Sequence, residues 1–328
     1  MTETLNIPVY QPADLAGNLE RLRQPWHKNY LAMYSSVFGG IVTDPVLMTV
    51  PVDDHLVHRA DAVFDAFKCV NGNAYCFPEH MARLERSAGG IDLKMPAEYE
   101  RVEDYVRATM QAGGQKDTVI RIILSRGSGS FSTNPYDCPR SHMYIVVTKL
   151  KTPPAEEYEK GVAIISAPVP VKPPIFANIK SCDYLGNVLI KKAAVEAGVE
   201  YAVNWDELGY LAEGSTENII LVSEEGELLL PEYARVLKGV TLARTVALAE
   251  KLVQEGMLKA VRNAGIDREL ASRAREAMLT GTSLDVLPVT QWDGKRVGDG
   301  RVGPVAKRLL ELMREDVRSN KDVLTPML

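Results

Sequence analysis

"KSCDYLGNVLIKKAAVEAG", residues 180–198, carries a helical pattern and one lysine that the pattern does not explain. Leu185, Val188, Leu189, Ala193 and Ala197 recur at helical spacing, and Gly198 is the residue type that most readily ends a helix. The spacing predicts a helix with one apolar stripe turned to the core. Lys191 and Lys192 fall largely off that stripe and read as solvated charges. Lys180 is different. It follows the proline-stiffened "PPIFANI" and precedes the helix, so it stands at a strand-to-helix junction, from which a lysine can point into a pocket. Taken alone it would still be read as a surface charge, the commonest state of a lysine.

Four other segments change that reading. In "LAEGSTENIILV" the carboxylate of Glu213 precedes a Gly-Ser turn and a strand, poised to face a cavity. In "VLKGVTLARTV", Gly239, Val240 and Thr241 lead into a helix, where free backbone N–H groups, the helix dipole and a hydroxyl together suit an anion. In "LTGTSLDVLPV", Gly281, Thr282 and Ser283 form a hydroxyl-rich turn after a strand. Arg83, in "EHMARLERSA", is a candidate phosphate clamp. Each segment has an ordinary structural reading: a loop carboxylate, an N-cap, a turn, a solvated arginine. Together they offer an amine, a carboxylate and a phosphate cradle. Pyridoxal phosphate needs these three: an amine to condense with its aldehyde, a carboxylate to keep its pyridine nitrogen protonated, and a cradle for its phosphate.

The rest of the chain sets bounds. It has 328 residues, 46% hydrophobic and 25% charged, enough for two domains. A net charge of -5, from 38 basic and 43 acidic residues, argues against nucleic acid as a partner. No apolar run approaches the roughly 20 residues of a membrane span, and the N-terminus lacks the basic start and apolar core of an export signal. The four cysteines form no CxxC pair and no zinc spacing, so no metal site is expected. Reduced thiols in a cytoplasmic protein are the simplest reading.

Asn71-Gly72 predicts a hairpin turn inside "DAVFDAFKCVNGNAYCF". "PEHMARLERSAGG" and "YERVEDYVRATMQAGG" read as helices stopped by glycines, and "TVIRIILS" and "HMYIVVT" as strands. "KLKTPPAEEYEKG" is a polar, proline-bearing linker. It divides a small N-terminal domain, residues 1–154, from a larger C-terminal domain, residues 155–328, which holds the "TLARTVALAEKLVQEG" and "VAKRLLELMRE" helices. Strands and helices interleave, so the expected class is α/β or α+β.

The ordered set "IKSCDYLGNVLIKKAAVEAG", "AEGSTENIILV", "LKGVTLART", "LTGTSLDVLPV" resembles the fold type IV pyridoxal-phosphate enzymes: branched-chain aminotransferases, D-amino-acid aminotransferases and aminodeoxychorismate lyases. "HRADAVFDAFKCVNGNAYCFPEHMARLERSA" is similar to their N-terminal stretch. The resemblance implies the two-domain D-amino-acid-aminotransferase-like fold, a cofactor in the interdomain cleft and a homodimer. It implies that Lys180 binds the cofactor and shuttles the proton, and that Glu213 pairs with the pyridine nitrogen. Arg83, Val240, Thr241 and Thr282 match phosphate contacts, Leu237 the apolar residue on the ring, and Tyr184 a tyrosine near the phenolic oxygen. On the substrate side it implies Phe64, Ser283, Arg59 and Arg121. D-amino-acid enzymes carry an arginine and a histidine shortly after an "RG" turn, where this chain has Phe131 and Thr133. Arg59 and Arg121 are then the cations available for a substrate carboxylate, with Arg59 preferred. The implied activity is amino-group exchange between an amino acid and a 2-oxo acid. A lyase on the same scaffold and a non-catalytic pyridoxal-phosphate binding protein remain as alternatives. "RGSGSFS" lacks the third glycine of a dinucleotide-binding loop.

Overall fold

The computed structural model describes residue 5 and residues 7–328. The first half contributes strands β1 (Tyr30–Ser35), β2 (Gly40–Val42), β3 (Ala62–Val70), β4 (Asn73–Tyr75), β5 (Thr118–Ser125) and β6 (His142–Lys149). The second half contributes β7 (Val162–Ser166), β8 (Tyr201–Trp205), β9 (Leu211–Gly214), β10 (Asn218–Val222), β11 (Glu227–Pro231), β12 (Ala260–Ala264), β13 (Glu276–Gly281), β14 (Asp285–Trp292), β15 (Lys295–Arg296) and β16 (Leu324–Pro326). Helices α1 (Pro12–Leu19), α2 (His55–Arg59), α3 (Phe77–Gly89) and α4 (Val102–Gly113) accompany the first set. Helices α5 (Ala155–Lys160), α6 (Pro174–Ala177), α7 (Leu185–Glu196), α8 (Val240–Gln254), α9 (Arg268–Ser272) and α10 (Pro304–Ser319) accompany the second.

The small domain is one antiparallel sheet, ordered β16-β4-β3-β5-β6-β1-β2. Its centre is set by the β3–β4 hairpin. Asn71 and Gly72 both take positive φ, 52° and 80°, as a tight two-residue turn requires, and the twist of such a turn matches that of the strands. Helix α3 follows at once and lays Phe77, Met81, Leu84 and Ala88 against Phe67, Ile120 and Ile122. Arg83 lies on this buried stretch too, and its charge must therefore be answered inside the protein.

The larger domain is a mixed sheet, ordered β12-β11-β10-β13-β14-β7-β8-β9. It curls on itself. Strand β9 pairs back onto β10 through Glu213 and Asn218, so β10, β13, β14, β7, β8 and β9 close a ring. Helices α8 and α10 pack on each other and on this sheet. No helix among the described residues is long and apolar enough to cross a membrane.

Two expectations change. Helix α7 forms as the spacing predicts, but it does not bury its leucine stripe: Leu185, Val188 and Leu189 are 68%, 58% and 44% exposed. Ile190 and Ala194 face the body instead. Helical periodicity fixes which residues share a face, not which face turns inward. The C-terminus, expected with the second half, also joins the sheet of the first half. Strand β16 pairs with β4, the Val323 carbonyl accepts from the Cys76 N–H, and Met327, 2% exposed, enters the small-domain core.

That strap gives a direct test. Truncating Met327 to Ala removes most of a buried side chain, and cavity-forming changes of this kind cost about 2–5 kcal/mol. Urea unfolding of Met327→Ala should show a loss in that range with an unchanged slope. A midpoint equal to wild type would mean the strap is dispensable for stability.

Candidate active site

Lys180 is held across the domain boundary. Its carbonyl accepts from the Phe64 N–H at 2.9 Å, Ser181 bridges to Val63, and the Cys182 N–H donates to the Ala62 carbonyl at 2.8 Å. The segment thus extends the edge of β3, and the side chain emerges beside Phe64, with Nζ 4.7 Å from that ring centroid. Nζ donates to Tyr184 Oη at 3.0 Å, and Tyr184 meets Phe64 edge-on at 5.1 Å. Burial, reinforced by the Arg83 guanidinium, lowers the Lys180 ammonium to about 8. A neutral amine is therefore accessible near physiological pH. The neighbouring Cys182 thiol is pushed up to about 12 by burial and is unreactive.

Glu213 stands at the point where the ring of strands closes, paired with Asn218. Its Oε2 accepts from the Leu237 N–H at 2.9 Å, while Asn218 Nδ2 donates to the Leu237 carbonyl at the same distance. Burial raises the Glu213 carboxyl to about 7, against the Leu237 hydrogen bond and the charges of Lys180 and Lys172. A cation placed against this oxygen would restore full ionisation. Lys172 was not anticipated; its Nζ lies 4.9 Å over the Tyr184 ring.

Arg83 is fixed by a group that sequence reasoning passed over. Asp65 is fully buried and accepts from Arg83 Nε at 2.8 Å and Nη2 at 2.7 Å, and from His80 Nδ1 at 2.7 Å. Burial works against the Asp65 charge, but His80 and Arg83 outweigh it and hold the carboxyl well below its ordinary range. Burial holds His80 below its usual value, against the pull of Asp65. A signal was available: Asp65 interrupts the apolar run of β3, and an acid there requires a partner.

A cavity of about 210 Å³ joins Lys180, Tyr184 and Arg83; Glu213 does not line it and faces a separate small recess with Lys172 and Gly214. Phe64, Arg83, Arg121, Lys180, Tyr184 and Leu237 line it, with Gly239, Val240 and Thr241 at one end and the 280–284 turn beside them. The residues fit a phosphate. Helix α8 opens there with free N–H groups. Gly239 allows the approach, since a Cβ at that position would stand 2.1 Å from Asn218 Oδ1. Thr280 Oγ1 is buried without a hydrogen-bond partner among the described residues. Thr282 Oγ1 donates to the Ala66 carbonyl at 3.1 Å. A second, wider cavity of about 500 Å³ shares the walls Tyr184, Thr216, Glu217, Ser283 and Leu284.

The two arginines separate. Arg121 lines the first cavity, 5.7 Å from the Phe64 ring, with no hydrogen-bond partner among the described residues. Arg59 does not line it. The short helix α2 ends at Ala60 in the left-handed region, φ 53°, and sends the Arg59 guanidinium to the carbonyls of His58, Phe131 and Ser132. Arg59, expected on the substrate side, stands outside this cavity, with Nε and Nη2 on the 131–132 loop and Nη1 on the His58 carbonyl. Phe131 stacks on His58 at 4.7 Å and is exposed.

Residues 62–292 match the family model described as amino-transferase class IV. Over 320 residues the chain is 38% identical to the chloroplastic D-amino-acid transaminase of Arabidopsis thaliana, spanning 97% of this chain and 84% of that protein. It is 30% identical over 272 residues to a putative branched-chain-amino-acid aminotransferase of Methanocaldococcus jannaschii, spanning 82% of this chain and 91% of that one. Among solved structures, the T.th. branched-chain amino acid aminotransferase with pyridoxamine 5'-phosphate superposes with a TM-score of 0.83 at 25% identity, covering 91% of this chain and 99% of that one.

Two outcomes follow from the electrostatics. An amine that loses its proton near pH 8 should capture pyridoxal phosphate, trapped with borohydride and located by mass spectrometry, at a rate that rises with pH and is half-maximal near 8. A midpoint near the ordinary lysine value of about 10.4 would mean that Lys180 is solvated. Asp65→Asn, which leaves the Arg83 charge buried and uncompensated, should cost about 3–5 kcal/mol in urea unfolding. An effect below about 1 kcal/mol would mean that water reaches Arg83.

Proposed function

The chain belongs to the class IV aminotransferases and is a pyridoxal-phosphate enzyme that exchanges an amino group between an amino acid and a 2-oxo acid, and from that premise we propose which residues carry the reaction and on which donor. When bound, pyridoxal phosphate supplies the aldehyde that takes the amino group and the ring that accepts the electron pair left when the substrate Cα loses its proton. Lys180 would hold the cofactor through its amine and would move that proton; its lowered pKa leaves it able to accept at neutral pH. Tyr184 orients the amine through the 3.0 Å hydrogen bond. Glu213, anchored by the Leu237 N–H, would keep the ring nitrogen protonated. Arg83, the α8 N-terminus, Thr280 and Thr282 hold the phosphate, and the Leu237 side chain walls the ring.

The observation that carries this reading is the neutralisable Lys180 amine in one cavity with Arg83 and the start of α8. Arg121 takes the substrate carboxylate with Ser283 beside it, because its guanidinium is free and faces the cavity while Arg59 is occupied. Likeness over nearly the whole chain to a D-amino-acid transaminase supports a D-amino acid as donor. A second reading, a branched-chain amino acid, draws on the 25% identical branched-chain fold and the Phe64–Arg121 pairing in the cavity. A homodimer fits the exposed Leu185, Val188 and Leu189 stripe on α7, which the single chain leaves to water. The four free cysteines fit a reducing compartment such as the cytoplasm.

The test is a half-reaction with single amino donors, D- and L-isomers separately, followed by the rise of the pyridoxamine absorbance. D-donors should convert the cofactor fastest; conversion by L-leucine or L-valine alone would favour the second reading. Lys180→Ala should lose essentially all turnover. Arg121→Ala should weaken apparent affinity for amino and oxo acids by about one to two decades, the size of a charged hydrogen bond, and leave cofactor content unchanged. Equal loss with a simple amine that lacks a carboxylate would exclude Arg121 from that role.

A further inference from the structure

Lys68 is a lysine in the middle of a central strand, 4% exposed, and the reaction does not use it. Its Nζ forms an ion pair with Asp285, which is the first residue of β14 in the other domain and lies 217 residues away in the chain. Asp285 closes the turn whose residues 280–284 line the cofactor cavity, and it does so in the left-handed region, φ 56°. Two positions back along β3, the Ala66 carbonyl accepts from Thr282 Oγ1 in the same turn. The small domain therefore grips this turn twice.

The other half of the cradle is gripped from the same strand pair. Lys68 Nζ lies 5.5 Å over the Tyr75 ring, and Tyr75 Oη donates to Asp316 Oδ2 at 2.5 Å. Asp316 accepts from Arg244 Nε at 2.7 Å, and Arg244 is on α8, whose first residues line the cavity. One chain of contacts, buried at Lys68, Tyr75 and Asp316 and partly buried at its ends, thus runs from the 281–285 turn through the small domain to α8.

A buried ion pair is a poor source of net stability, because desolvation of both charges offsets their attraction. It is a good source of geometry, since neither charge tolerates displacement. We propose that the Lys68–Asp285 pair positions the cofactor cradle: it fixes the 281–285 turn against the small domain, so that the affinity for pyridoxal phosphate depends on how the two domains dock. Lys68 and Asp285 are positioning residues, acting through Thr282 and Ser283. The inference rests on reading the cavity as the phosphate site. If the wild-type protein binds no pyridoxal phosphate, that reading fails before the ion pair is tested.

The test separates position from stability. Asn tolerates the left-handed backbone, so Asp285→Asn removes charge and leaves the turn conformation accessible. Lys68→Met keeps the stem and removes the ammonium. Wild type, both single variants and the Lys68→Met/Asp285→Asn double variant are stripped of cofactor, titrated with pyridoxal phosphate by visible absorbance, and unfolded in urea. Each single variant should unfold earlier, because a lone charge is left buried, and should bind the cofactor at least about tenfold more weakly. The double variant, which buries no lone charge, should regain wild-type unfolding yet keep the weakened cofactor binding. If the single variants do not fold, the double variant carries the same comparison, and Lys68→Arg, which retains the pair, should bind within about threefold of wild type. Cofactor affinity unchanged in the single variants, or restored in the double variant along with stability, overturns the proposal.

Discussion

Three backbone contacts hold the site together: Lys180 to Phe64, Ser181 to Val63, Cys182 to Ala62. Through them a segment leading into the large domain is bonded, strand-fashion, to the edge of β3. Backbone hydrogen bonds have little play in length or angle, so the reactive amine takes its position from the small domain's sheet. Phe64 and Arg121 share that sheet, and Arg83 is tied to it through Asp65. The amine is thereby fixed relative to the aromatic wall, the free cation and the phosphate clamp in one step.

The other groups are set by the large domain. Glu213 and Asn218 occupy the closing pair of the strand ring, and Leu237 is tied to both. The cleft is therefore the meeting of two rigid frames. Its electrostatics follow from that. A lysine and a glutamate are both removed from water, and burial drives their pKa values toward each other, to about 8 and about 7. Groups this close to neutrality can each exist in either state at working pH, which suits proton transfer and cofactor exchange. Asp65 shows the opposite case: two strong partners keep it charged in spite of full burial, and its task is to hold Arg83 still.

Buried charges also join the frames. Lys68 meets Asp285, and Tyr75 and Arg244 converge on Asp316. None of these lines the 210 Å³ cavity. They lie behind its 280–284 turn and the start of α8, where a displacement of the domains would alter the cavity wall first. The C-terminal strap adds backbone pairing to the same joint, with β16 on β4 and Met327 in the core.

Local chemistry determined much of this from the chain alone. Asn71-Gly72 required a hairpin because few residues accept two successive positive φ values. Glycines ended α3 where the apolar face of "MARLERSA" ran out. Lys180, Glu213, the Gly239–Thr241 helix start and the 281–283 turn were legible because each couples a reactive group to a local backbone signal. What the sequence could not hold was direction. The stripe of α7 was visible, but whether it faced core or solvent depended on what packs beside it, and Ile190 and Ala194 took the inside. Arg59 ends a short helix and Arg121 sits mid-strand, and only the fold gave one to the backbone carbonyls of His58, Phe131 and Ser132 and the other to the cavity. Asp65 signals a need for a partner by interrupting an apolar strand, but which partner answers it, and that Lys68 meets Asp285, depends on residues distant in the chain. Local spacing is written in the chain; which buried charge answers which is decided only when two frames close on each other.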